Sequence, residues 1–507
     1  MLYVCKAEIC LPRPVSISHI TTYQFLATTP VLMQLSVLRR TRLHTFRTLC
    51  AQRRGLLTIA IETSCDDTSV AILEKHKNNS ATLHFHESIT SDNREFRGLH
   101  PLVVHEYHQQ NVAILVKKAL QSLPAQPSES ANFGEALLVK GGRGVKELRR
   151  KPDFVTATRG PGMRASLITG IDTAKGLSVA WDVPFLGVNH MQAHALTPRL
   201  ITALEASNGG DAINIESKPS FPFLSLLVSG GNSMLVNSQS LSQHSILART
   251  TDIAVGDMID KCARDILPED VLNASIGVSY GPSLERYAFP SNNSVIDYNY
   301  TTPKQKKKKN GSISSISDTR NMSLKPRSWS LAPPMSNGSS GGPELLAATF
   351  SFSGIGSSVK RIVKDNPSMQ DSERRVLARE IMRVAFEHLG SRVLMALQGS
   401  SQGIKTLVVS GGVASNQYLK HILRAMLDSN GHMDIDLVFP PLKFCTDNAA
   451  MIAWTGIEMW EAGYRTKLDA MALRKWDIDS KSKDGGILGA YGWTNVYEDC
   501  VRSPVSG

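Results

Sequence analysis

Two copies of one tetrapeptide, Val-Ser-Gly-Gly at residues 228–231 and 409–412, set the strongest limit on the fold of this chain. Each copy follows an apolar run, FPFLSLL before the first and IKTLV before the second. The second copy continues into VASNQYLKHILRAML, whose apolar spacing predicts a helix. A buried strand that turns through glycines into a helix is typical of α/β proteins, and the repeat indicates two related halves.

Other segments fit the same alternation of strands and helices. Residues 56–75, LLTIAIETSCDDTSVAILEK, contain two β-rich runs on either side of a polar turn at Glu62–Thr68, which predicts a hairpin. Residues 153–181 predict a strand, a Gly-Pro turn and a helix. Residues 445–463, CTDNAAMIAWTGIEMWEAG, predict a polar cap and an apolar helix that ends at Gly463. We therefore expect an α/β architecture.

The basic character of the chain, a formal net charge of +11, comes from two segments. Residues 1–56 carry eight Lys/Arg and one acid, and residues 289–345 carry eight Lys/Arg and three acids, so the remainder is close to neutral. Residues 33–55, MQLSVLRRTRLHTFRTLCAQRRG, contain six arginines and no acid, which predicts a disordered mitochondrial transit peptide over 1–56. A disordered basic tail is the alternative, and Met33 is a candidate start of translation.

Length and composition favour a globular protein with more than one lobe. A chain of 507 residues exceeds what one hydrophobic core usually serves. No apolar run approaches the ~18 residues of a membrane helix, so we expect no membrane insertion. Seven cysteines without a CxxC pair argue against a disulfide scaffold or a thiolate zinc site. Residues 124–150 and 289–345 have the composition of insertions, and the second, with KQKKKKNGSISSISD, predicts disorder.

Two histidines, His190 and His194, stand four residues apart in VNHMQAHALTPR. On a helix this spacing places both rings on one face, about 5–6 Å apart between Cβ atoms, where they could hold a divalent ion. The metalloprotease pattern needs Glu after the first His, and Met191 stands there, which weakens the protease interpretation. Asp447 in FCTDNAA is a candidate third ligand, although it could equally cap the following helix.

A rival group of histidines occurs in GLHPLVVHEYHQQN. His100, His105 and His108 could form a metal cluster, but their spacing does not match one helix face. A loop on the substrate side is the favoured interpretation of this segment.

The glycine-rich turns predict a nucleotide cleft, because a strand that ends in Gly-Gly exposes N–H groups that can approach a phosphate. Neither turn is a GxxxxGK[ST] phosphate loop or a GxGxxG fingerprint, but two copies together with RGPG at 159–162 favour a nucleotide site. Asn416 could cap a helix or bind the nucleotide, and Asp260 could be an exposed charge or a ribose acceptor. Asp66 and Asp67 could be turn residues or could face the phosphate or the metal.

Nine motifs together point to one family. They occur in the order IETSCDDT, GLHPLVVHEYHQ, RGPGMRASLITGIDTAKGLS, NHMQAHAL, LLVSGGNS, GDMIDKCAR, FSFSG, VSGGVASN and CTDNAAMIAW. This set closely resembles the tRNA threonylcarbamoyladenosine transferase family over about residues 57–480, apart from the two insertions. ETSCDDT and NHMQAHAL resemble the bacterial and mitochondrial branch.

The resemblance implies an α/β, actin/hexokinase-like (ASKHA) fold, in which two RNase-H-like lobes enclose a nucleotide cleft. The first lobe is expected at 57–192 with completion by 447–495, and the second at 193–446 with the insertion at 289–345. The implied reaction transfers a threonylcarbamoyl group from threonylcarbamoyl-AMP, made by a separate synthase, to a tRNA. The acceptor is the exocyclic amine of the adenine 3′ of the anticodon, in tRNAs that read codons beginning with A, and AMP leaves.

The resemblance also implies roles for individual residues. One divalent ion per subunit, iron or zinc, would be bound by His190, His194 and Asp447, and Asp66 would lie beside the reacting centre. The substrate adenylate would contact Val228, Ser229, Gly230, Gly231, Asn232, Asp260, Gly281 and Asn416. Two departures concern this set, since Asn232 stands where the family usually has His, and SYGP replaces YPGGP around Gly281.

The implied partners are tRNA and the adenylate, in a homodimer of the mitochondrial matrix. We expect a local Lys/Arg patch for the tRNA, with affinity that falls as salt rises. The alternatives are a metal-dependent peptidase, an ATP-dependent kinase of the same superfold and a non-catalytic binding module.

Overall fold

The computed structural model describes thirteen parts of the chain. These are residues 55–96, 99–126, 133–141, 144–207, 215–274, 279–290, 298, 300–302, 304–307, 313–317, 329–335, 348–399 and 403–497. The predicted transit peptide at 1–56 lies outside them, apart from its last two residues.

The strands and helices alternate along the chain as predicted. The strands are β1 (Leu56–Glu62), β2 (Asp67–Lys75), β3 (Ala81–Thr90), β4 (Ala136–Lys140), β5 (Lys146–Arg150), β6 (Phe154–Gly160), β7 (Phe185–Asn189), β8 (Phe223–Val228), β9 (Ser233–Ser238), β10 (His244–Thr250), β11 (Lys304–Lys307), β12 (Ile313–Ser317), β13 (Thr349–Phe350), β14 (Thr406–Ser410), β15 (Asp436–Val438), β16 (Tyr464–Thr466) and β17 (Trp493–Asn495). The helices are α1 (Pro101–Gln121), α2 (Arg164–Trp181), α3 (His190–Ser207), α4 (Val255–Ile266), α5 (Glu269–Asn273), α6 (Gly281–Ala288), α7 (Ser353–Asp365), α8 (Asp371–Gly399), α9 (Gln417–Ser429), α10 (Leu442–Cys445), α11 (Ala449–Glu461) and α12 (Gly486–Gly489).

The first large sheet has seven strands in the order β17-β16-β7-β6-β1-β2-β3. Strands β1, β2 and β3 form an antiparallel meander, which includes the hairpin predicted at Glu62–Thr68. On its other side β1 pairs in parallel with β6, and β6 pairs in parallel with β7. The late strands β16 and β17 extend this sheet from the far end of the sequence.

The second large sheet repeats this arrangement. Its order is β13-β10-β9-β8-β14-β15, in which β8, β9 and β10 are antiparallel and β8 pairs in parallel with β14. Strand β15 continues the parallel part. Three antiparallel strands followed by two parallel ones form the RNase-H-like order, and two such sheets in one chain form the actin/hexokinase-like fold. The predicted α/β fold class is therefore confirmed, whereas the exact lobe boundaries stay a prediction.

Helix α11 links the end of the chain to the first sheet. Each of its residues from Ala449 to Met459 is buried, because the helix packs against β1, β2 and α3. A helix that is apolar around its whole circumference belongs in a core rather than on a surface. Its first residue follows Asn448 directly, so the burial of α11 fixes the position of the CTDN segment.

The segment at 289–345 is only partly described, and its described aromatic residues are packed. Tyr298 lies with its ring centroid 5.2 Å from that of Tyr418 and 4.8 Å from that of Phe289. The Trp329 indole N–H donates to Glu373 at 2.8 Å. The prediction of disorder is wrong for these residues, because aromatic side chains within the low-complexity sequence bury surface against α6, α8 and α9. The insertion at 124–150 contributes the β4–β5 hairpin.

Among the described residues, none of the helices is both long and apolar enough to cross a membrane.

Candidate active site

Helix α3 begins at His190, directly after β7, because Asn189 folds its side chain over the helix start. The Asn189 Oδ1 accepts hydrogen bonds from the backbone N–H of Met191 at 2.9 Å and of Gln192 at 3.1 Å. This cap fixes the strand-to-helix turn, and His194 follows one helical turn later. The two imidazole centroids are 4.6 Å apart with nearly perpendicular planes, and both side chains are buried.

Asp447 reaches the same point from the other end of the chain. Its neighbour Asn448 caps α11, since the Asn448 Oδ1 accepts from Met451 N at 3.0 Å, so the interpretation of Asp447 as the helix cap is wrong. The Asp447 Oδ1 lies 3.3 Å from His190 Nε2 and 3.1 Å from His194 Nε2. The two Nε2 atoms are 3.2 Å apart. The structure therefore brings the three predicted ligands together.

The size of this triangle fits a metal ion. Ligand atoms about 2.1 Å from a metal lie roughly 3.0 Å apart in an octahedral and 3.4 Å apart in a tetrahedral arrangement. The edges of 3.1, 3.2 and 3.3 Å fall between these values. Two unprotonated Nε2 atoms cannot hydrogen-bond to each other, so a proton or a cation has to lie between them. Two imidazoles and one carboxylate suit iron or zinc, and the residues present fit such an ion.

Glu62, which sequence reasoning did not assign, lies behind His190. It ends β1, it is fully buried, and its Oε2 is 3.2 Å from His190 Nδ1. The hydroxyl of Ser64 is also 3.2 Å from Nδ1, and the Ser64 backbone N–H donates to Glu62 Oε1 at 2.5 Å. The Thr158 hydroxyl donates to Glu62 Oε2. The sequence offered one signal for Glu62, which is a glutamate at the end of an apolar strand. If such a carboxylate is buried, it needs compensating partners.

The charges of the centre compensate one another. Burial opposes ionisation of Asp447, but His190 and His194 outweigh it and hold the pKa of Asp447 far below its usual range. Burial also raises the pKa of Glu62, and His190 reverses this to a net lowering. Burial lowers the pKa of His190, but Asp447 and Glu62 raise it to about 10. Ionised Asp447 and Glu62 thus stabilise positive charge at this point.

Asp66, the predicted catalytic residue, lies beside Asp447. One oxygen of each carboxylate and the sulfur of Cys65 lie within 4.8 Å of one another. Burial raises the pKa of Asp66, and the nearby Asp447 raises it further. Burial and then Asp66 raise the pKa of Asp67 to about 7, while its side chain accepts a hydrogen bond from Thr90. The contact with Thr90 favours the turn interpretation for Asp67, whereas Asp66 borders the metal ligands.

The two Val-Ser-Gly-Gly turns lie side by side, because β8 and β14 are parallel neighbours that end at the same edge of the sheet. Gly411 has a φ of +98°, and a Cβ there would meet the carbonyl oxygen of Val228 at 2.3 Å, so this position requires glycine. At Gly230, Gly231 and Gly412 a Cβ would meet no atom of the described chain within 4 Å. These backbone faces are open to a ligand.

Asp260 connects two elements near the first turn. Its Oδ1 accepts from Tyr280 N at 2.8 Å and from Gly281 N at 2.9 Å, which ties α4 to the start of α6. Burial raises the pKa of Asp260 to about 6, although these donors oppose the shift. The start of α4 contacts the first turn, because Gly256 N donates to Ser229 O at 3.2 Å. Asp260 and Gly281 are therefore adjacent, as the binding-site prediction requires.

Asn416 serves as a helix cap. Its Oδ1 accepts from Leu419 N at 2.9 Å, and Glu285 of α6 accepts from Gln417 N at 2.7 Å and from Tyr418 N at 3.0 Å. The structural interpretation of Asn416 is the one that these contacts support. Because side-chain oxygens take these N–H groups, the start of α9 is satisfied without a phosphate.

The rival histidines do not form a substrate-side loop, so that prediction is wrong. His105 and His108 lie on α1, and His100 caps it. The ring of His108 is 2.9 Å from Cys65 O and 2.8 Å from the Thr68 hydroxyl, and burial lowers its pKa. A neutral His108 thus supports the loop that carries Asp66.

The repeated sheet order defines the class of this protein, which is an actin/hexokinase-like protein with a candidate metal centre. Among solved structures, HypF of T. kodakarensis is similar with 12% identity and a TM-score of 0.36, covering 80% of this chain and 48% of that chain.

Sequence comparison identifies the family. A sequence model described as TsaD, tRNA N6-adenosine threonylcarbamoyltransferase, matches residues 148–454. The mitochondrial tRNA N6-adenosine threonylcarbamoyltransferase of Schizosaccharomyces pombe is 34% identical over 473 residues, which is 91% of this chain and 94% of that protein. The tRNA N6-adenosine threonylcarbamoyltransferase of Novosphingobium aromaticivorans is 29% identical over 429 residues, 84% of this chain and 97% of that protein. The chain belongs to the tRNA N6-adenosine threonylcarbamoyltransferase family.

Proposed function

We propose that this protein transfers the threonylcarbamoyl group of threonylcarbamoyl-AMP to the exocyclic amine of the adenine 3′ of the anticodon, in mitochondrial tRNAs that read codons beginning with A. The observation that carries the site assignment is the convergence of His190, His194 and Asp447 on one point, with edges of 3.1 to 3.3 Å. Family membership supplies the reaction. The metalloprotease alternative lacks support, because the position after the first histidine is a buried methionine, Met191.

The residues of the chain have distinct tasks in this reaction. The amine nitrogen forms a bond to the carbamoyl carbon, the bond from that carbon to the phosphate oxygen breaks, the amine loses a proton, and AMP leaves. A divalent iron or zinc ion, bound by His190, His194 and Asp447, would stabilise the negative charge that develops on the carbonyl oxygen. We assign to Asp66 the removal of the proton from the amine, because its carboxylate borders the metal ligand Asp447.

The adenylate is assigned to the glycine turns. The open backbone faces of Gly230 and Gly231 can approach its phosphate, and Asp260 and Gly281 border the same turn through α4. Val228, Ser229 and Asn232 complete the turn, and Asn416 positions α9 next to it. Direct transfer needs no covalent enzyme intermediate.

Reconstitution tests this proposal. The protein is combined with a threonylcarbamoyl-AMP synthase, threonine, bicarbonate, ATP and unmodified tRNA, and the digested nucleosides are analysed by mass spectrometry. We expect His190→Ala and His194→Ala each to lower the yield of modified adenosine about 10²-fold or more, because charge stabilisation is lost. His432→Ala, whose ring lies outside the centre, is the matched control. Equal yields from wild type and His190→Ala would contradict a role of the metal.

The partners and location follow from the same proposal. The S. pombe relative is named as mitochondrial, and the arginine-rich segment at 33–55 supports import into the matrix. Exposed Lys360, Arg361 and Lys364 on α7 support a basic surface for tRNA. Helix α7 packs against α4, and the start of α4 contacts the first glycine turn.

A homodimer is supported by apolar residues on two helices that pack against each other, α1 and α2. Leu102 and Ile114 on α1 are 68% and 52% exposed, and Ile168 and Val179 on α2 are 40% and 66% exposed. Exposed apolar residues indicate a covered surface where they form one patch, and the packing of α1 against α2 allows this. We assign this surface to the second copy of the chain.

A further inference from the structure

We propose that Glu62 is a positioning residue for the metal centre, which holds His190 with its proton on Nδ1 so that Nε2 is free to bind the cation. This proposal rests on the metal-dependent function above and adds a residue to it. It is carried by the hydrogen bonds around Glu62.

All the described polar neighbours of the Glu62 carboxylate can act as donors. The backbone N–H of Ser64 donates to Oε1, and the hydroxyl of Thr158 donates to Oε2. The His190 Nδ1 approaches the same Oε2 at 3.2 Å. A carboxylate that receives donors at both oxygens is an acceptor only, as an ionised carboxylate is.

This environment selects one tautomer of His190. If Nδ1 carried a lone pair, that lone pair would face the lone pairs and the charge of Glu62 Oε2. With the proton on Nδ1, the contact is a hydrogen bond, and Nε2 is left unprotonated toward Asp447 and His194. An imidazole that ligates a metal commonly donates its other N–H to a carboxylate in this way, which orients the ring and raises its basicity.

The second histidine has no such support. Among the described residues, no hydrogen-bond partner lies near the buried His194 Nδ1. The two imidazoles are therefore inequivalent, and His190 is the ligand whose tautomer the protein controls. The burial of Glu62 fits this task, because a fully buried carboxylate is costly unless it compensates a nearby positive charge.

The charge balance points the same way. A divalent ion between His190, His194 and Asp447 brings two positive charges into a buried site, and Asp447 compensates one of them. Glu62 adds a second negative charge behind His190, and Asp66 adds a third beside Asp447. Replacing Glu62 by glutamine keeps the size of the side chain but removes its charge. The new N–H₂ group is a donor, and it would face other donors in either orientation. It would meet the Ser64 N–H at one position, or the Thr158 hydroxyl and the His190 Nδ1–H at the other.

The test measures metal binding rather than activity. The metal-free protein is titrated with Co²⁺ in competition with a chelator of known affinity, and the absorption of bound Co²⁺ is followed. We expect Glu62→Gln to weaken Co²⁺ affinity 10- to 100-fold, as loss of such a carboxylate typically does. Glu458→Gln removes the charge of another buried glutamate, whose Oε1 accepts a hydrogen bond from Arg199 Nε at 2.8 Å, and serves as the control with unchanged affinity.

The outcomes separate this proposal from the one it rests on. If His190→Ala abolishes Co²⁺ binding while Glu62→Gln binds as wild type does, Glu62 has no positioning role although the metal site stands. If His190→Ala binds Co²⁺ as wild type does, the metal site itself is wrong.

A measurement on the wild-type chain covers the case in which Glu62→Gln does not fold. Histidine-selective ¹⁵N labelling of the zinc-loaded protein reports which ring nitrogen carries a proton, and the His190 signals are those absent from His190→Ala. A proton on Nδ1 is the expected result. A proton on Nε2 would overturn the proposal.

Discussion

Asp260 stands in a partly buried position where its ionised form is disfavoured, since burial raises its pKa to about 6. For an acid, a folded-state pKa above the ordinary ~3.9 means that the ionised form weakens the fold. This cost is absent below about pH 4 and complete above about pH 7. Asp260 makes structural contacts with Tyr280 and Gly281, and a residue whose charge carries such a cost is also a candidate for a role in binding.

Asp260→Asn is therefore expected to act on stability and binding in opposite directions. Asparagine still offers an oxygen to Tyr280 N and Gly281 N, so the melting temperature at pH 7.5 should equal or exceed that of wild type. The difference should vanish toward pH 4, where Asp260 is protonated. Adenylate affinity should fall. Thermal unfolding across this pH range and calorimetric titration measure both effects, with Asp265→Asn on the same helix as control. A variant that is less stable at pH 7.5 than wild type would contradict this expectation.

At the level of single residues, the sequence predicted what depends on local spacing or on a shared motif. The i, i+4 spacing of His190 and His194 was visible, and the motif resemblance added Asp447. Glu62 was not found, because its partner His190 is 128 residues away, and a glutamate at the end of an apolar strand does not by itself reveal which side chain compensates it. The sequence could not show whether Asn416 caps a helix or binds the nucleotide, or whether Asp447 caps a helix or binds the metal. Both are polar residues before a helix, and either role fits that position.

Among the elements, the turn after β14 shows how tightly the two glycine turns depend on each other. The backbone of Gly411 has a φ of +98°, and a Cβ would lie 2.3 Å from the carbonyl oxygen of Val228. Gly412, one residue later, has open space where its Cβ would be. The two neighbouring glycines thus serve different purposes. Gly411 is required by the backbone conformation and the close approach of Val228, whereas Gly412 leaves space for a ligand.

Gly411→Ala is expected to lower the free energy of unfolding by about 2–4 kcal/mol, from backbone strain and the clash with Val228. Gly412→Ala should change it by less than about 1 kcal/mol. Urea denaturation of both variants measures the difference. Similar losses in the two variants would show that the close approach of the turns is not the cause.

Strands and helices could be predicted from the sequence where one face of the element, or the whole element, is buried. The β1–β2 hairpin and the apolar helix α11 follow from runs that alternate or stay apolar throughout. The described aromatics of the insertion were not expected to pack, because Tyr298 and Trp329 are isolated apolar residues in a lysine- and serine-rich sequence. Their partners lie on distant helices, and the Trp329 donor reaches Glu373 from 44 residues away.

For the molecule as a whole, the surface formed by α1 and α2 predicts the oligomeric state. Val179→Asp places a charge on this surface at a residue that is 66% exposed in the single chain. We expect the variant to sediment as a monomer, whereas Leu138→Asp, on the β4–β5 hairpin and 61% exposed, should sediment as wild type does. Analytical ultracentrifugation distinguishes these states. A Val179→Asp dimer would place the interface elsewhere, and a monomeric wild type would contradict the dimer itself.

The long separation between the ligands has a consequence for biogenesis. Asp447 follows His194 by 253 residues, so the ribosome synthesises both imidazoles well before the carboxylate that completes their triangle. A nascent chain therefore cannot bind the proposed metal ion with its full ligand set, and binding by all three ligands has to wait until Asp447 has been synthesised. Prematurely terminated products would compete poorly for the cellular metal supply.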